Sequence, residues 1–155
     1  MSDTFVVRTA TRDDEKDILK LCELLAEENA VFPMSEAKVR QKLNQAFDKQ
    51  LAMCGVIGPR GSLRGSIFLE VGTLWYTDTF GLHELWNFVH PDHRHSNYAH
   101  MLIDFAKECS TKLKLPLHIG VFSNKRTNAK VRLYKRRLGK PAGAFFLYNG
   151  QTGTT

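Results

Sequence analysis

The chemistry-bearing stretch of the chain is Val89-His90-Pro91-Asp92-His93-Arg94-His95-Ser96-Asn97-Tyr98-Ala99, a polar and basic joint between two apolar segments. The run Leu85-Trp86-Asn87-Phe88-Val89 leads in with strand character, and residues 101–112 lead out with helix character. A strand that feeds a helix through a short loop aims the helix's free backbone N–H groups at one point, where a phosphate can sit. The joint is therefore an anion-binding candidate. His90, His93, His95 and His100 crowd the same segment and raise a metal site as the rival chemistry. Their spacing matches no familiar zinc pattern and no cysteine lies nearby, so they read as loop and helix-surface histidines beside a phosphate.

The elements that must hold this joint follow from periodicity and turn signals. Residues 5–8 read as a first strand. Thr11-Arg12-Asp13-Asp14 resembles a capping box, and the helix after it places Ile18, Leu21, Cys22 and Leu25 on one face. Residues 30–33 break that pattern, and a second helix is predicted over 35–48, with Val39, Leu43, Ala46 and Phe47 inward. Strands are predicted over 51–57 and 63–71, joined through Gly58-Pro59-Arg60-Gly61 as a hairpin. Residues 72–81 form a loop or strand extension carrying Trp75, Tyr76 and Phe80, and residues 82–89 form the next strand. After the joint, Ala99, Leu102, Ala106, Cys109 and Leu113 recur at helical spacing. A strand over 116–122, a basic helix over 129–138 and a last strand over 144–148 complete the order β-α-α-β-β-β-α-β-α-β, with residues 151–155 as a loose tail. Such a chain is mixed α/β, one domain over residues 1–150, with a central sheet that carries helices on both faces.

Composition narrows the setting. No apolar run approaches the ~20 residues that span a bilayer, and Met1-Ser2-Asp3-Thr4 has no basic start or apolar core of a signal peptide. Cys22, Cys54 and Cys109 are odd in number and widely spaced, as expected of small buried residues in a reducing, cytoplasmic compartment. The net charge of +6 is unevenly placed: no acid follows Glu108, while ten basic residues do, and the first 108 residues sum to −4. A pole of one sign suits a polyanion or a phosphorylated cofactor; a solvated, solubilising face is the plainer alternative.

The element order, with this joint between the fourth strand and the third helix, resembles the GNAT superfamily of acyl-CoA-dependent N-acetyltransferases. Their signature there is Arg/Gln-x-x-Gly-x-Gly/Ala after Val-x-Pro-x-x. Val89-His90-Pro91-Asp92-His93-Arg94 matches the lead-in, and Arg94-His95-Ser96-Asn97-Tyr98-Ala99 matches the signature with Asn97 where Gly is usual. Asn is the residue after Gly that best tolerates left-handed angles, so the departure is physically mild, and the anion cradle is complete only if Asn97 takes a glycine-like backbone. Asn128-Ala129, Leu133-Tyr134 resemble the family's Asn-x-x-Ala-x-x-Leu-Tyr region with altered spacing, and Tyr134 to Gly139 is one residue longer than usual.

The resemblance implies a mixed, mostly antiparallel sheet with a splayed fourth and fifth strand pair. It implies acetyl-CoA as co-substrate, with its pyrophosphate on Arg94, His95, Ser96, Asn97, Tyr98 and Ala99. Phe88 and Val89 would pair with the pantetheine amides, and Asn128 would lie at the cofactor. Acyl transfer from a thioester to an amine needs a neutral amine, a donor for the oxyanion and a proton for the thiolate. By resemblance, the Val89 N–H is the oxyanion donor, Tyr134 the proton donor and Glu84 the base, with His83 on the opposite strand face and Glu70 a weaker base candidate. Tyr134 packed against the sheet, and a solvent-facing or structural Glu84, remain the alternatives. Glu27, Glu28, Phe32, Trp75, Tyr76 and Asp78 fall where this fold takes its acceptor and suit a cationic amine, small or on a protein. The family often forms homodimers. The other function classes open to the sequence are a basic nucleic-acid-binding module using Arg126, Lys130 and Arg137, and a catalytically degenerate acyl-CoA binder.

Overall fold

The computed structural model describes residues 4–150; the expected tail at 151–155 lies outside them. Among the described residues are four α-helices and five strands: β1 (Arg8–Thr9), α1 (Glu15–Asn29), α2 (Glu36–Phe47), β2 (Ala52–Ile57), β3 (Gly65–Gly72), β4 (Gly81–Val89), α3 (Tyr98–Leu113), β5 (Leu117–His118) and α4 (Thr127–Leu138). The sheet runs β1-β2-β3-β4-β5 in space; every neighbouring pair is antiparallel except β4 and β5, which are parallel. The architecture is mixed α/β with a mostly antiparallel sheet, as the sequence implied.

Strand alternation sorts the core into two layers. Cys54, Val56, Phe68, Trp86 and Phe88 meet Ile18, Leu19, Leu21, Cys22 and Leu43 from α1 and α2. Ile57, Ile67, Leu69, Leu82 and Val89 meet Tyr98, Leu102 and Ala106 from α3. The cysteine expectation fits this placement: burial pushes the Cys22 and Cys54 thiols up to about 12.

One irregularity in β4 decides what the site contains. Phe68 pairs with Trp86, but the next residue, Leu69, pairs with Glu84, so Leu85 is an extra residue in a β-bulge. A bulge shifts the alternation by one position. Before it, Leu82 and Glu84 share the α3 face, opposite Val71 and Leu69; after it, Asn87 and Val89 share that face, opposite Ile67 and Gly65. A regular strand would have turned Asn87 to the opposite layer from Glu84.

Three expected strands are shorter or missing. The first pairs only at Arg8–Thr9, although Phe5 and Val7 still pack on the α3-side core. The strand expected over 116–122 pairs with β4 only at Leu82↔Leu117 and His83↔His118 among the described residues. Beyond that the two chains diverge, which is the splay the resemblance implied. Residues 144–148 form no strand: a strand needs a neighbouring ladder, and the splayed segment offers none. Phe146 stays 94% exposed in consequence.

Candidate functional site

The splay opens a cleft of about 280 Å³ lined by Glu84 and Asn87 from β4, Leu25 and Asn29 from α1, Gly120 and Phe122 beyond β5, and Lys130 and Tyr134 from α4. Lys130 and Tyr134 are four residues apart and so share a helix face. The Asn87 Nδ2 donates to Tyr134 Oη at 3.0 Å, which ties α4 to the bulged strand. Phe122 stacks on Phe32 at the cleft's edge, with ring centroids 6.2 Å apart.

The cleft is electrostatically unusual. Glu84 keeps some exposed surface as a residue, but its carboxyl end is desolvated. Burial pushes it up to about 7 against the opposing pull of the Gly120 N–H, 3.4 Å from Oε2, and of Lys130. Burial likewise lowers Lys130, against Glu28 and Glu84, and raises the Tyr134 phenol, with Glu84 adding to the rise. A carboxyl group poised near neutrality beside a phenol that stays protonated has the chemistry an acid–base pair needs. The structure thus brings Glu84 and Tyr134 together. His83 lies on the other face, with its Nδ1 3.4 Å from that of His118. Glu70 is taken by Lys42 at 2.6 Å on that same face and does not line the cleft.

Val89 lies at the far end of the strand. His90 N–H bonds to the Arg64 carbonyl, and ladder alternation then turns the N–H and C=O of Val89 away from β3, toward the open side. The carbonyl receives Arg94 Nε at 3.3 Å; the N–H faces the splay. Phe88 points into the α1/α2 layer and its ring lies under the Arg94 guanidinium, 5.2 Å from centroid to Cζ.

The joint is only partly as expected. Asn97 is the N-cap of α3 with φ −95 and ψ 13, so no left-handed backbone is needed there, which corrects the glycine-like requirement. Its side chain makes no capping bond. Ser96 Oγ instead receives the Tyr98 N–H at 3.2 Å and donates to the His93 carbonyl at 2.6 Å. No N-cap side chain serves the N–H groups of Ala99 and His100, and no acid lies in the first turn. Arg94 does not offer a bare charge to a phosphate: its Nη2 meets Glu28 of α1 at 2.6 Å, and both side chains are largely buried. Tyr98 is a core residue whose hydroxyl accepts from Arg64 at 2.6 Å. His95 and Asn128 are exposed, and neither lines the cleft. His90 Nδ1 accepts from the Asp92 N–H, and no group of three or more His, Cys, Asp or Glu converges among the described residues.

Asn87 is a cleft-wall residue that the sequence did not single out, and Lys130, expected only in a basic stripe, lines the same wall. A lone amide within the apolar run 85–89 is the signal that pointed to Asn87, and the four-residue spacing to Tyr134 pointed to Lys130. Asn87 Oδ1 is buried without a partner, a state that costs about 1–3 kcal/mol.

No family model and no curated protein matches the chain. Solved structures do. A GCN5-related N-acetyltransferase from Ralstonia eutropha is similar with TM-score 0.73 at 16% identity, covering 94% of this chain and 98% of that one. A predicted acetyltransferase with acetyl-CoA from Clostridium acetobutylicum reaches TM-score 0.74 at 12% identity, covering 94% and 96%. An aminoglycoside 6'-N-acetyltransferase from Acinetobacter haemolyticus reaches 0.64 at 20%, covering 92% and 94%. The fold is that of the GNAT acetyltransferases.

Proposed function

We propose that the protein is an N-acetyltransferase that moves an acetyl group from acetyl-CoA to a primary amine in a ternary complex. The observation that carries this reading is the pairing of Glu84 with Tyr134 in a cleft that the β4–β5 splay opens. The residues present fit the co-substrate. The N–H groups of Ala99 and His100 at an uncapped, acid-free helix start suit a pyrophosphate. The unpaired edge of β4 at Val89 suits an extended amide chain. Arg94 serves by fixing the loop through Glu28 and the Val89 carbonyl.

Bound acetyl-CoA supplies an acetyl group activated as a thioester and leaves as a thiol. Glu84, in its ionised form, takes the proton the acceptor nitrogen must lose. The Val89 N–H faces the splay, where it would stabilise charge developing on a carbonyl oxygen. Tyr134 gives its phenol proton to the departing sulfur and recovers one from Glu84.

The acceptor belongs to the class of cationic amines. Glu23, Glu27 and Phe32 line a hollow of about 470 Å³ formed by α1 and the segment after it, and Trp75 is 95% exposed beside Tyr76. Acids and aromatic faces together hold an ammonium-bearing molecule; the aminoglycoside enzyme among the similar folds acts on such a compound. Three unpaired cysteines, Cys22 and Cys54 buried and Cys109 partly so, support a reducing, cytoplasmic setting, and no helix among the described residues is long and apolar enough to cross a membrane. Calorimetric titration with acetyl-CoA, followed by thiol release over a panel of amines, tests the proposal. Micromolar affinity with amine-dependent thiol release is expected, and absence of binding at millimolar acetyl-CoA would overturn it.

A further inference from the structure

Asn87 is 7% exposed and sits between Trp86 and Phe88 in an otherwise apolar half-strand. The two ends of its amide are treated unequally. Nδ2 donates to Tyr134 Oη at 3.0 Å. Oδ1 is sealed from solvent with no partner among the described residues. An orphaned buried acceptor costs stability, and an apolar side chain of similar size would avoid that cost. Packing therefore does not account for the amide. Nor does ordinary strand geometry, since only the bulge at Leu85 turns this position toward α4.

The contact with Tyr134 does account for it. With Nδ2 as donor, the phenol oxygen is the acceptor, so the phenol's own hydrogen must point away from Asn87 and into the cleft that Glu84 and Lys130 line. We infer that Asn87 is a positioning residue for the proton donor: its NH2 group fixes the direction of the Tyr134 hydrogen and then hydrogen-bonds the phenolate once that hydrogen has gone. The inference rests on the acetyltransferase reading and deepens it. The balance is closed: the Tyr134 O–H bond breaks as the S–H bond forms, and Glu84 returns to the phenolate the proton it took from the amine.

The test compares Asn87→Leu, Asn87→Asp, Tyr134→Phe and the Asn87→Leu/Tyr134→Phe double variant for saturated thiol-release rate, acetyl-CoA affinity and melting temperature. Asn87→Leu is expected to keep or raise the melting temperature, to leave acetyl-CoA affinity within about twofold, and to lower kcat by at least ~10-fold. In the Tyr134→Phe background the same change should cost less than about threefold, because no phenol is left to orient. Asn87→Asp keeps the shape but loses the donor; its carboxylate would draw the phenol hydrogen to itself, and kcat should again fall. Independent, multiplying losses for Asn87→Leu and Tyr134→Phe would overturn the inference. So would an Asn87→Asp variant with the parent kcat, which would mean the amide accepts from the phenol. A parent chain that binds no acetyl-CoA would overturn the acetyltransferase reading and this inference together, whereas a parent that binds and turns over while the cycle is additive overturns this inference alone.

Discussion

Glu84 carries two opposite consequences of one desolvated carboxyl group. As a base it works only when ionised, and burial holds its ionisation up to about 7. The rate at low acceptor concentration should therefore rise about tenfold per pH unit below that value and level off above it. Glu84→Gln should abolish that rise and lower kcat/KM by ~10²–10⁴-fold. Stability runs the other way. In the unfolded chain the carboxyl ionises near 4.3, whereas the folded chain keeps its proton up to about 7. Between those values folding takes up a proton, so stability falls as pH rises through the window, and the full cost, roughly 4 kcal/mol, is present above it. Glu84→Gln, which has no charge to bury, should melt higher than the parent at pH 8 and equally at pH 4. A lower melting temperature for the variant at pH 8 would show that the carboxylate is held as a structural partner of Lys130 instead.

At the scale of elements, the start of α3 makes a similar trade. Asn97 is exposed at the N-cap and leaves the next N–H groups uncapped. Asn97→Asp would cap them and place a negative charge at the positive end of the helix. The helix should gain about 0.3–1 kcal/mol, while acetyl-CoA affinity falls roughly tenfold as the anion site fills with a carboxylate; a melt and a calorimetric titration on the same sample read both. The sheet edge depends on a different contact. Asp14 is fully buried and receives both Arg8 Nη1 and Nη2, at 2.8 and 2.7 Å, and the Thr11 N–H at 2.9 Å. Burial raises its carboxyl, but Arg8 and Thr11 outweigh burial and hold it below the usual range. Asp14→Ala should therefore cost about 2–3 kcal/mol at neutral pH, a difference that shrinks in melts as pH falls through the depressed carboxyl value and the parent loses the same contact. What was legible in the chain follows from the range of the forces. The two layers around β2, β3 and β4 were written in local alternation, and the third helix in its spacing of Leu102 and Ala106. The strand over 144–148 was not, because strand character there depends on a neighbour that splays away. The bulge at Leu85 was not, because a two-residue period continues unbroken through Leu82, Glu84, Trp86 and Phe88, and only the ladder to β3 reveals the shift. The Arg94–Glu28 pair joins residues too far apart in the chain for spacing to reveal.

For the molecule as a whole, the distribution of charge decides between the two partners that the acid-free third of the chain invites. Every acidic residue lies at or before Glu108, yet the structure folds several of them back against the basic pole. Glu28 neutralises Arg94 at 2.6 Å, Glu84 and Glu28 both face Lys130, and Asp104 lies 4.0 Å from Arg137. A surface built to track a nucleic-acid backbone keeps its cations free, and each phosphate it neutralises steepens the salt dependence of binding. Here the inner cations are spent on internal carboxylates, while the anion site proposed for the co-substrate consists of backbone N–H groups, whose pull is local and weakly screened. Raising salt from about 50 to 200 mM should weaken binding of a random oligonucleotide by ~10³-fold or more if it rests on six or more phosphate contacts. Acetyl-CoA, held by the start of α3 and the edge of β4, should lose less than about tenfold over the same range. Titrating both ligands at the two salt concentrations separates the readings: an oligonucleotide affinity that survives 200 mM salt while acetyl-CoA binding collapses would make the basic pole, and not the cleft at Glu84 and Tyr134, the working surface of the protein.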